Sequence, residues 1–335
     1  MNGKRWGAIG IAAGLFVFSI IISATSTFLN QSEMFSEAFA AANAEFSEEV
    51  IEEGTSLDKI LVLNVNGVIQ DTGEDVTSFF SSPGYNHQMF LDMIEAAGED
   101  NHIKGVILRV NSPGGGVVES AEIHKKLIEL KEKSKKPIYV SMGTQAASGG
   151  YYISTAADKI FAAPDTLTGS LGVIMQSVNY GELAEKFGVK VETIKSGPYK
   201  DIFSPTREMT EEERKILQAM VDNAYQGFVN VIAEGRSLSE EDVRKIADGR
   251  IYDGRQAKEN NLIDELGYFD DTVAAMKKDL KIENAQVIEY GSSLGLDSLL
   301  SMSVGKVFNG DKEIENLYQF MSNSNSPRLM YLYSE

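Results

Sequence analysis

A serine stands between an apolar segment and a helix-like segment, in the stretch Gly-Thr-Gln-Ala-Ala-Ser-Gly-Gly-Tyr that occupies 143–151. Residues 137–142 have the pattern of a buried strand, and 151–157 has the pattern of a helix. Ser148 therefore lies at a predicted strand-to-helix corner, where its hydroxyl can face a cleft. A serine hydroxyl is a weak nucleophile until a base takes its proton. Because Ser is also a preferred helix N-cap, this position alone fits either role.

A second corner carries three consecutive glycines, Gly114, Gly115 and Gly116, between the apolar segment 105–110 and a helix that begins near residue 118. Glycine permits close approach of the backbone to a ligand, and a helix N-terminus offers free N–H groups, so this loop can stabilise an oxyanion. The spacing matches neither of the glycine motifs that bind nucleotide phosphates. A plain turn is the alternative, but together with Ser148 the loop favours an acyl-transfer site.

The base for such a serine is not evident among the histidines. All of them precede the serine and none has a distinctive context: His87, His102 and His124. The loop after 189–194 contains two lysines, Lys195 and Lys200, beside a glycine and a proline. A lysine acts as a base only when neutral, so its pKa must fall from about 10.4 to about 7 or 8, which desolvation can supply. We favour Lys200, although the sequence alone does not separate it from Lys195.

Four segments in this order resemble the signal peptide peptidase A family, in the short form of Gram-positive, Bacillus-type bacteria: 110–116, 146–152, 168–174 and 196–201. The resemblance covers essentially the whole chain, including 248–257. It implies a serine endopeptidase with a Ser/Lys dyad and no cofactor or metal. By resemblance Ser148 matches the nucleophile, Lys200 the general base, and Ser170 a hydroxyl that orients the lysine. The backbone N–H groups of Gly149 and of Gly114, Gly115 and Gly116 match the oxyanion donors.

Composition excludes several other classes of function. With 335 residues and 43% hydrophobic content the chain can bury a sizeable core, and 24% charged residues argue against global disorder. A net charge of −18, without any basic patch, argues against nucleic acid as a partner. The chain has no cysteine, and its three histidines lack metal-ligand spacing, so disulfides and thiolate or histidine metal sites are not expected.

The N-terminus predicts a membrane anchor. Lys4 and Arg5 precede a mostly apolar, uncharged segment at 6–29, which is long enough to span a bilayer with its positive end in the cytoplasm. A cleaved signal peptide is the alternative, but the small-residue triplets at 38–40 and 42–44 lie far from the apolar segment. We therefore expect a single-pass protein of the cell membrane with an extracytoplasmic catalytic domain.

Domain boundaries follow from this arrangement. Residues 1–29 form the predicted anchor and 30–56 a helical or flexible tether. Residues 57–290 form the catalytic domain, and 291–335 form a C-terminal extension and tail.

Strand and helix patterns alternate within the catalytic domain, which predicts a parallel α/β core. The predicted strands are 59–65, 105–110, 137–142, 158–162 and 189–194. The predicted helices are 87–97, 118–133, 151–157, 180–187 and a long helix at 210–233, which starts with a capping-box pair, Thr210 and Glu213. The resemblance implies the Clp protease/crotonase-like fold, with catalytic groups at the carboxyl ends of strands.

The expected substrates and partners also rest on the resemblance. Long family members carry two tandem copies of the unit and this chain carries one, so we expect a homo-oligomer in which Lys200 reaches Ser148 of a neighbouring subunit. Signal peptides left in the membrane, and other apolar peptides, are the expected substrates. One alternative is a crotonase-like acyl-CoA enzyme, which leaves the anchor and Lys200 unexplained. Another is a non-catalytic membrane scaffold of the same fold, against which the intact dyad positions argue.

The C-terminus has its own pattern. A polar linker at 322–327 leads into an apolar tail at 328–335. The tail either packs as an edge strand or against a neighbouring subunit, or it occupies the peptide groove beside Ser148 as an added strand.

Overall fold

The computed structural model describes residues 46–71, 85–291 and 329–333. The predicted anchor at 1–29 and most of the C-terminal extension lie outside these ranges. No helix within them is long and apolar enough to cross a membrane. Apart from 46–48 and 291, the described residues belong to one compact unit.

The strands in chain order are β1 (Ser47–Glu52), β2 (Lys59–Asn66), β3 (Ile103–Ser112), β4 (Gly114–Gly116), β5 (Ile138–Ala147), β6 (Lys159–Ala162), β7 (Leu167–Gly169), β8 (Ile251–Tyr252), β9 (Glu265–Leu266), β10 (Gln286–Gly291) and β11 (Met330–Leu332). The helices are α1 (His87–Glu99), α2 (Val117–Ser134), α3 (Gly149–Ser154), α4 (Gly181–Lys186), α5 (Glu211–Arg236), α6 (Glu240–Ile246), α7 (Gly254–Glu259) and α8 (Phe269–Leu280).

Nine of these strands form a central sheet in the described part of the chain. Its order is β1-β10-β2-β3-β5-β6-β9, with β7 paired to β5 and β8 paired to β7. The pairs from β10 to β9 are parallel, and only the β7–β8 pair among the described registers of this sheet is antiparallel. β4 and β11 form a separate antiparallel pair. The predicted parallel α/β core is therefore confirmed.

Continuous apolar runs explain why the central strands form. Val62 pairs with Ile107, and Leu108 with Val140, and all four side chains are fully or almost fully buried. Strands buried on both faces have such runs instead of alternating polar and apolar residues. Helix α8 contributes Val273 and Met276 to the cluster that contains Val62 and Ile107.

Most predicted elements are confirmed, with ends that differ from the predicted ones by at most five residues. Strands 59–65, 105–110, 137–142 and 158–162 are β2, β3, β5 and β6, and the five predicted helices are α1 to α5. The predicted Thr210–Glu213 capping box starts α5. The part of the predicted tether that the structure describes contains strand β1.

One predicted strand is wrong. Residues 189–194 form no strand, and Val189, Val191 and Ile194 are 55%, 55% and 102% exposed. An alternating pattern indicates that one face will be covered, but no described strand of this chain lies beside the segment. Its apolar side chains are left in solvent.

Strand β5 continues five residues beyond the predicted end at 142, and this extension positions the next segment. The register against β3 shifts between the pairs Val110–Met142 and Ser112–Ala146. Beyond this shift β5 pairs with β7, so that Ala147 lies opposite Gly169. The end of β5 is thus held between two neighbouring strands.

Candidate active site

Ser148 lies between β5 and α3, as predicted, with an unusual backbone conformation. Its φ and ψ are 53° and −114°. Its N–H donates to the Gly169 carbonyl at 2.7 Å, and its own carbonyl accepts from Tyr152 N–H at 2.8 Å. A non-glycine residue in such a sparsely populated region costs about 1–3 kcal/mol and persists only where neighbours fix it. These two hydrogen bonds fix it here.

The Ser148 hydroxyl is buried and makes no hydrogen bond with any described residue. It does not cap α3, although the residue is in the N-cap position. The capping explanation for this serine is therefore wrong. Leaving a buried hydroxyl without a partner costs about 1–3 kcal/mol, and such groups call for a functional explanation.

The glycine loop offers fewer free donors than the sequence predicted. Gly114 N–H donates to the Ser112 hydroxyl at 3.0 Å, and Gly116 N–H donates to the Ile69 carbonyl at 2.8 Å. Both are thus engaged within the protein. The Gly115 N–H group points away from Ile69, toward β11. Gly149 N–H, in the first turn of α3, has no acceptor among the described residues. Gly115 and Gly149 remain as candidate oxyanion donors.

The C-terminal strand β11 occupies the edge of this loop. Tyr331 lies opposite Gly115, and the flanking hydrogen bonds are Val117 N–H to Leu329 O at 3.3 Å and Tyr333 N–H to Pro113 O at 2.9 Å. Hydrogen-bonded pairs in an antiparallel ladder recur at every second residue, so Gly115 and Tyr331 form the pair between these two. Gly115 N–H therefore points at the Tyr331 carbonyl. This pairing fits both packing of the tail as an edge strand and its occupancy of the groove beside Ser148.

Gly114 shows how closely these groups converge. Its φ is +102°, and a Cβ there would lie 2.0 Å from the Tyr331 carbonyl oxygen and 2.6 Å from Gly149 N. The Tyr331 carbonyl thus approaches both candidate donors.

The Tyr331 side chain fills an aromatic pocket. Its ring stacks on Tyr152 at 4.9 Å and packs on Phe228 at 4.6 Å between centroids, and its hydroxyl donates to the Ala224 carbonyl at 3.0 Å. Burial raises the pKa of the Tyr331 hydroxyl, which keeps it protonated and able to donate. Beside the glycine loop, the pocket accepts a large apolar side chain with one polar end.

Ser170 is brought next to Ser148 by the backbone. It directly follows Gly169, whose carbonyl holds Ser148 N–H, and its own N–H donates to Arg250 O at 2.7 Å. Strand β8 pairs with β7 and holds this turn from the other side. No physical reason for the segment 248–257 follows from its residues alone. The structure supplies it, because this segment supports the turn that carries Ser170.

The two candidate lysines differ in their contacts. Lys195 Nζ forms an ion pair with Asp201 at 2.6 Å and donates to Pro198 O at 3.0 Å. Lys200 is exposed, and its amine has no hydrogen bond or ion pair in the described part of the chain. Lys200 is therefore the lysine whose amine is free, and no described contact joins it to Ser148 in the same chain.

None of the histidines contacts Ser148. His87 hydrogen-bonds Tyr85 at 2.6 Å and Glu122 at 2.8 Å, while His102 lies in an exposed turn. His124 packs edge-on against Tyr152, and burial followed by the charge of Lys131 lowers its pKa to about 4. A serine with no histidine partner, at a strand-to-helix corner facing oxyanion donors, is consistent with a lysine-assisted site.

The fold and the site together are those expected of an α/β serine peptidase. Residues 130–283 match the model of Peptidase family S49. The chain is 44% identical, over 99% of both chains, to an Enterococcus faecium protein provisionally named signal peptide peptidase SppA.

Identity to Protease 4 of Salmonella typhi is 35% over 74% of this chain and 39% of that protein. Identity to the chloroplastic serine protease SPPA of Arabidopsis thaliana is 30% over 78% of this chain and 39% of that protein. The chain therefore belongs to peptidase family S49, and it is a serine endopeptidase.

Proposed function

We propose that this chain is a membrane-anchored signal peptide peptidase, which degrades apolar signal peptides with Ser148 as nucleophile and Lys200 as general base. The observation that carries the proposal is the buried Ser148 hydroxyl, which has no hydrogen-bond partner among the described residues, with a peptide strand paired to the adjacent glycine loop. The name of the Enterococcus faecium relative supports the choice of substrate.

The proposed reaction is a two-step acyl transfer. Ser148 Oγ attacks the substrate carbonyl as its proton passes to neutral Lys200, and the N–H groups of Gly115 and Gly149 stabilise the oxyanion. Protonated Lys200 then gives the proton to the leaving amine. Water, with Lys200 again as base, hydrolyses the acyl-enzyme and regenerates the Ser148 hydroxyl. Ser170, beside Ser148 in the described turn, orients the lysine amine.

We further propose that Lys200 serves Ser148 of a neighbouring subunit. Support comes from the arm at 178–199, which exposes many large apolar side chains: Val178, Tyr180, Leu183, Phe187, Val189, Val191, Ile194 and Tyr199. An apolar surface of this kind is typical of an interface between chains. Burial there would favour the neutral amine that a base requires.

Ile216 and Met220 on α5 are also 42% and 45% exposed, although their spacing along the helix is that of a buried stripe. They form a second exposed apolar group, on α5. A homo-oligomer would cover both.

Substrate preference follows from the groove. An extended peptide adds to β4 by main-chain hydrogen bonds, and the pocket of Tyr152 and Phe228 takes a large apolar side chain. Signal-peptide cores are apolar and fit this groove. The proposed anchor at 1–29 keeps the N-terminus in the cytoplasm and the catalytic domain on the extracytoplasmic side, near such peptides. The α/β architecture with its central, mostly parallel sheet is compatible with the Clp protease/crotonase-like fold.

The test uses Ser148→Ala and Lys200→Ala, with Lys190→Ala as the control because Lys190 is an exposed lysine of the same arm. Both dyad variants should lose peptide hydrolysis and the control should keep it, with unchanged thermal unfolding. A serine-reactive phosphonate should label Ser148, which neither an acyl-CoA enzyme nor a scaffold requires. An active Lys200→Ala enzyme would refute the assignment of the base.

The intersubunit arrangement has its own test. Mixing the two inactive variants, Ser148→Ala and Lys200→Ala, should restore part of the activity, because some interfaces then pair an intact serine with an intact lysine. No recovery despite demonstrated subunit exchange would place both residues of each dyad in one chain. Mass spectrometry of products from synthetic signal peptides would define the cleavage preference.

A further inference from the structure

Arg207 binds two carboxylates that lie on different parts of the chain. Its Nε and Nη2 donate to Asp201 Oδ2 and Oδ1 at 2.9 and 2.8 Å. Its Nη1 donates to Glu213 Oε2 at 2.9 Å, and Nη2 also contacts Glu213 Oε1. Two-pronged contacts of this kind fix the guanidinium in both position and orientation.

Glu213 connects this cluster to a long helix. It lies in the first turn of α5, its side chain is 2% exposed, and its Oε2 accepts from Thr210 N–H at 2.8 Å. Thr210 Oγ1 in turn accepts from Glu213 N–H at 3.2 Å. The hydrogen bonds of Arg207, and next those of Thr210, lower the pKa of Glu213 to about 2. The carboxylate is therefore charged and immobile.

Asp201 connects the same cluster to the loop that carries Lys200. Arg207 Nη2 donates to the Asp201 carbonyl at 3.1 Å, and Ser204 N–H donates to the same carbonyl at 2.9 Å. Phe203, between them, has a φ of +70°, which a bulky residue adopts only when its surroundings enforce it. The contacts of Arg207 are thus part of what holds the loop in shape.

The charged groups on this loop and in the first turn of α5 are Lys195, Lys200, Asp201, Arg207, Glu208, Glu211, Glu212 and Glu213. Hydrogen bonds from Arg207, and next from Lys195, hold the pKa of Asp201 well below its usual range, so Asp201 is ionised. Its charge is matched by those two cations. An unpaired carboxylate one residue from Lys200 would favour the protonated amine, which cannot act as a base.

We infer that Asp201, Arg207 and Glu213 form a clamp that positions Lys200 and keeps it free to accept a proton. This inference rests on the proposed role of Lys200 as the base. Arg207 is a positioning residue, because it acts through the loop and has no described contact with Ser148 or Lys200. Isolated surface ion pairs contribute little to stability. If the ion pairs of Arg207 only stabilised the fold, their loss would have little effect on the rate per active subunit.

The experiment measures kcat, KM and the pH profile of the full-length protein with an uncharged peptide substrate, using Arg207→Met, Arg207→Lys and the double variant Arg207→Met with Asp201→Asn. Arg207→Met should lower kcat about 10- to 100-fold with KM changed less than about 2-fold, because a displaced base loses alignment. Because only the neutral amine of Lys200 can act as the base, activity should rise with pH, and this rising limb should move to higher pH in Arg207→Met. Arg207→Lys should recover only part of kcat, because an ammonium cannot bind both carboxylates in the two-pronged geometry.

The double variant separates charge from position. Removing the Asp201 charge should return the rising limb to the wild-type pH while kcat stays low. If Arg207→Met fails to fold, Asp201→Asn alone replaces it and should lower kcat without an upward shift of the limb. Phosphonate labelling counts the active subunits in every sample, so a loss of folded protein is not mistaken for a loss of rate.

Two kinds of failure are distinguishable. An active Lys200→Ala enzyme, or the absence of phosphonate labelling at Ser148, would overturn the proposed function itself. If those tests succeed and Arg207→Met keeps the wild-type kcat per labelled subunit and the wild-type pH limb, the clamp has only a structural role and the inference is wrong.

Discussion

The tail strand β11 is predicted to compete with substrate, and Tyr331→Ala tests this most directly. The Tyr331 side chain is 2% exposed and its hydroxyl donates to Ala224 O at 3.0 Å. Truncating a buried aromatic residue to Ala costs about 3–5 kcal/mol. Because water can refill the open groove, we use the lower value of about 3 kcal/mol, which reduces docking of the tail about 100-fold.

The kinetic consequence is a change in KM alone. A tail that occupies the groove raises the apparent KM by its docking equilibrium constant and leaves kcat unchanged. Initial rates of peptide hydrolysis well below KM should therefore rise in Tyr331→Ala and in a chain ending at Ser326. Tyr331→Phe keeps the ring and loses one hydrogen bond, worth about 1 kcal/mol, so it should raise the rate about 5-fold at most.

Tyr333→Ala is the matched control, because Tyr333 is only half-buried and its N–H contact to Pro113 O is made by the backbone. It should behave like the wild-type protein. Light scattering checks the oligomer in each sample. Loss of the oligomer on truncation would assign the tail to subunit packing, and wild-type kinetics with an intact oligomer in all variants would refute the inhibitory role.

Three further predictions concern stability. Glu213 has a pKa of about 2 in the folded protein, below the unfolded value of about 4.3. Its contribution to the free energy of unfolding is therefore complete above pH 4.3 and is lost as the pH falls through 2. Urea unfolding of Glu213→Gln should show a smaller loss of stability between pH 5 and 2 than the wild-type protein. Ser120 has a buried hydroxyl without a described partner, so Ser120→Ala should unfold at the same or a higher temperature, and a marked drop would show that the hydroxyl has a partner. Lys136 donates to three backbone carbonyls at the end of α1, at 2.7, 3.0 and 2.7 Å. Lys136→Met leaves these carbonyls unsatisfied and should therefore lower the free energy of unfolding by about 2–3 kcal/mol. A denaturant titration with an unchanged midpoint would contradict this.

The sequence was sufficient for the central strands and for the corner at Ser148. The runs at 59–65 and 105–110 are mostly apolar, with Lys59, Asn64 and Arg109 as the exceptions, because parallel strands are covered on both faces, and both runs form strands, β2 and β3. The corner follows from a strand pattern that ends just before a helix pattern. The four ordered motifs, through their resemblance to a known family, carried the prediction of a peptidase, which family membership confirms.

The segment 189–194 shows where local patterns fail. Its alternation is as regular as that of a strand, but a strand exists only when another strand supplies hydrogen bonds, and none in the described part of this chain does so. An alternating pattern indicates that the apolar face of a segment will be covered. It does not indicate which part of the protein, or which partner, covers that face.

The details of the site needed the tertiary structure because they depend on contacts between residues far apart in sequence. Lys195 and Lys200 are equivalent candidates for the base on the sequence alone, and only the ion pair of Lys195 with Asp201 distinguishes them. The glycine donors likewise depend on Ile69, which takes one N–H group from the loop, and on Tyr331, which faces another. Residue types and spacing determined which chemistry was available to this protein, and the three-dimensional hydrogen-bond partners decided which groups are free to perform it.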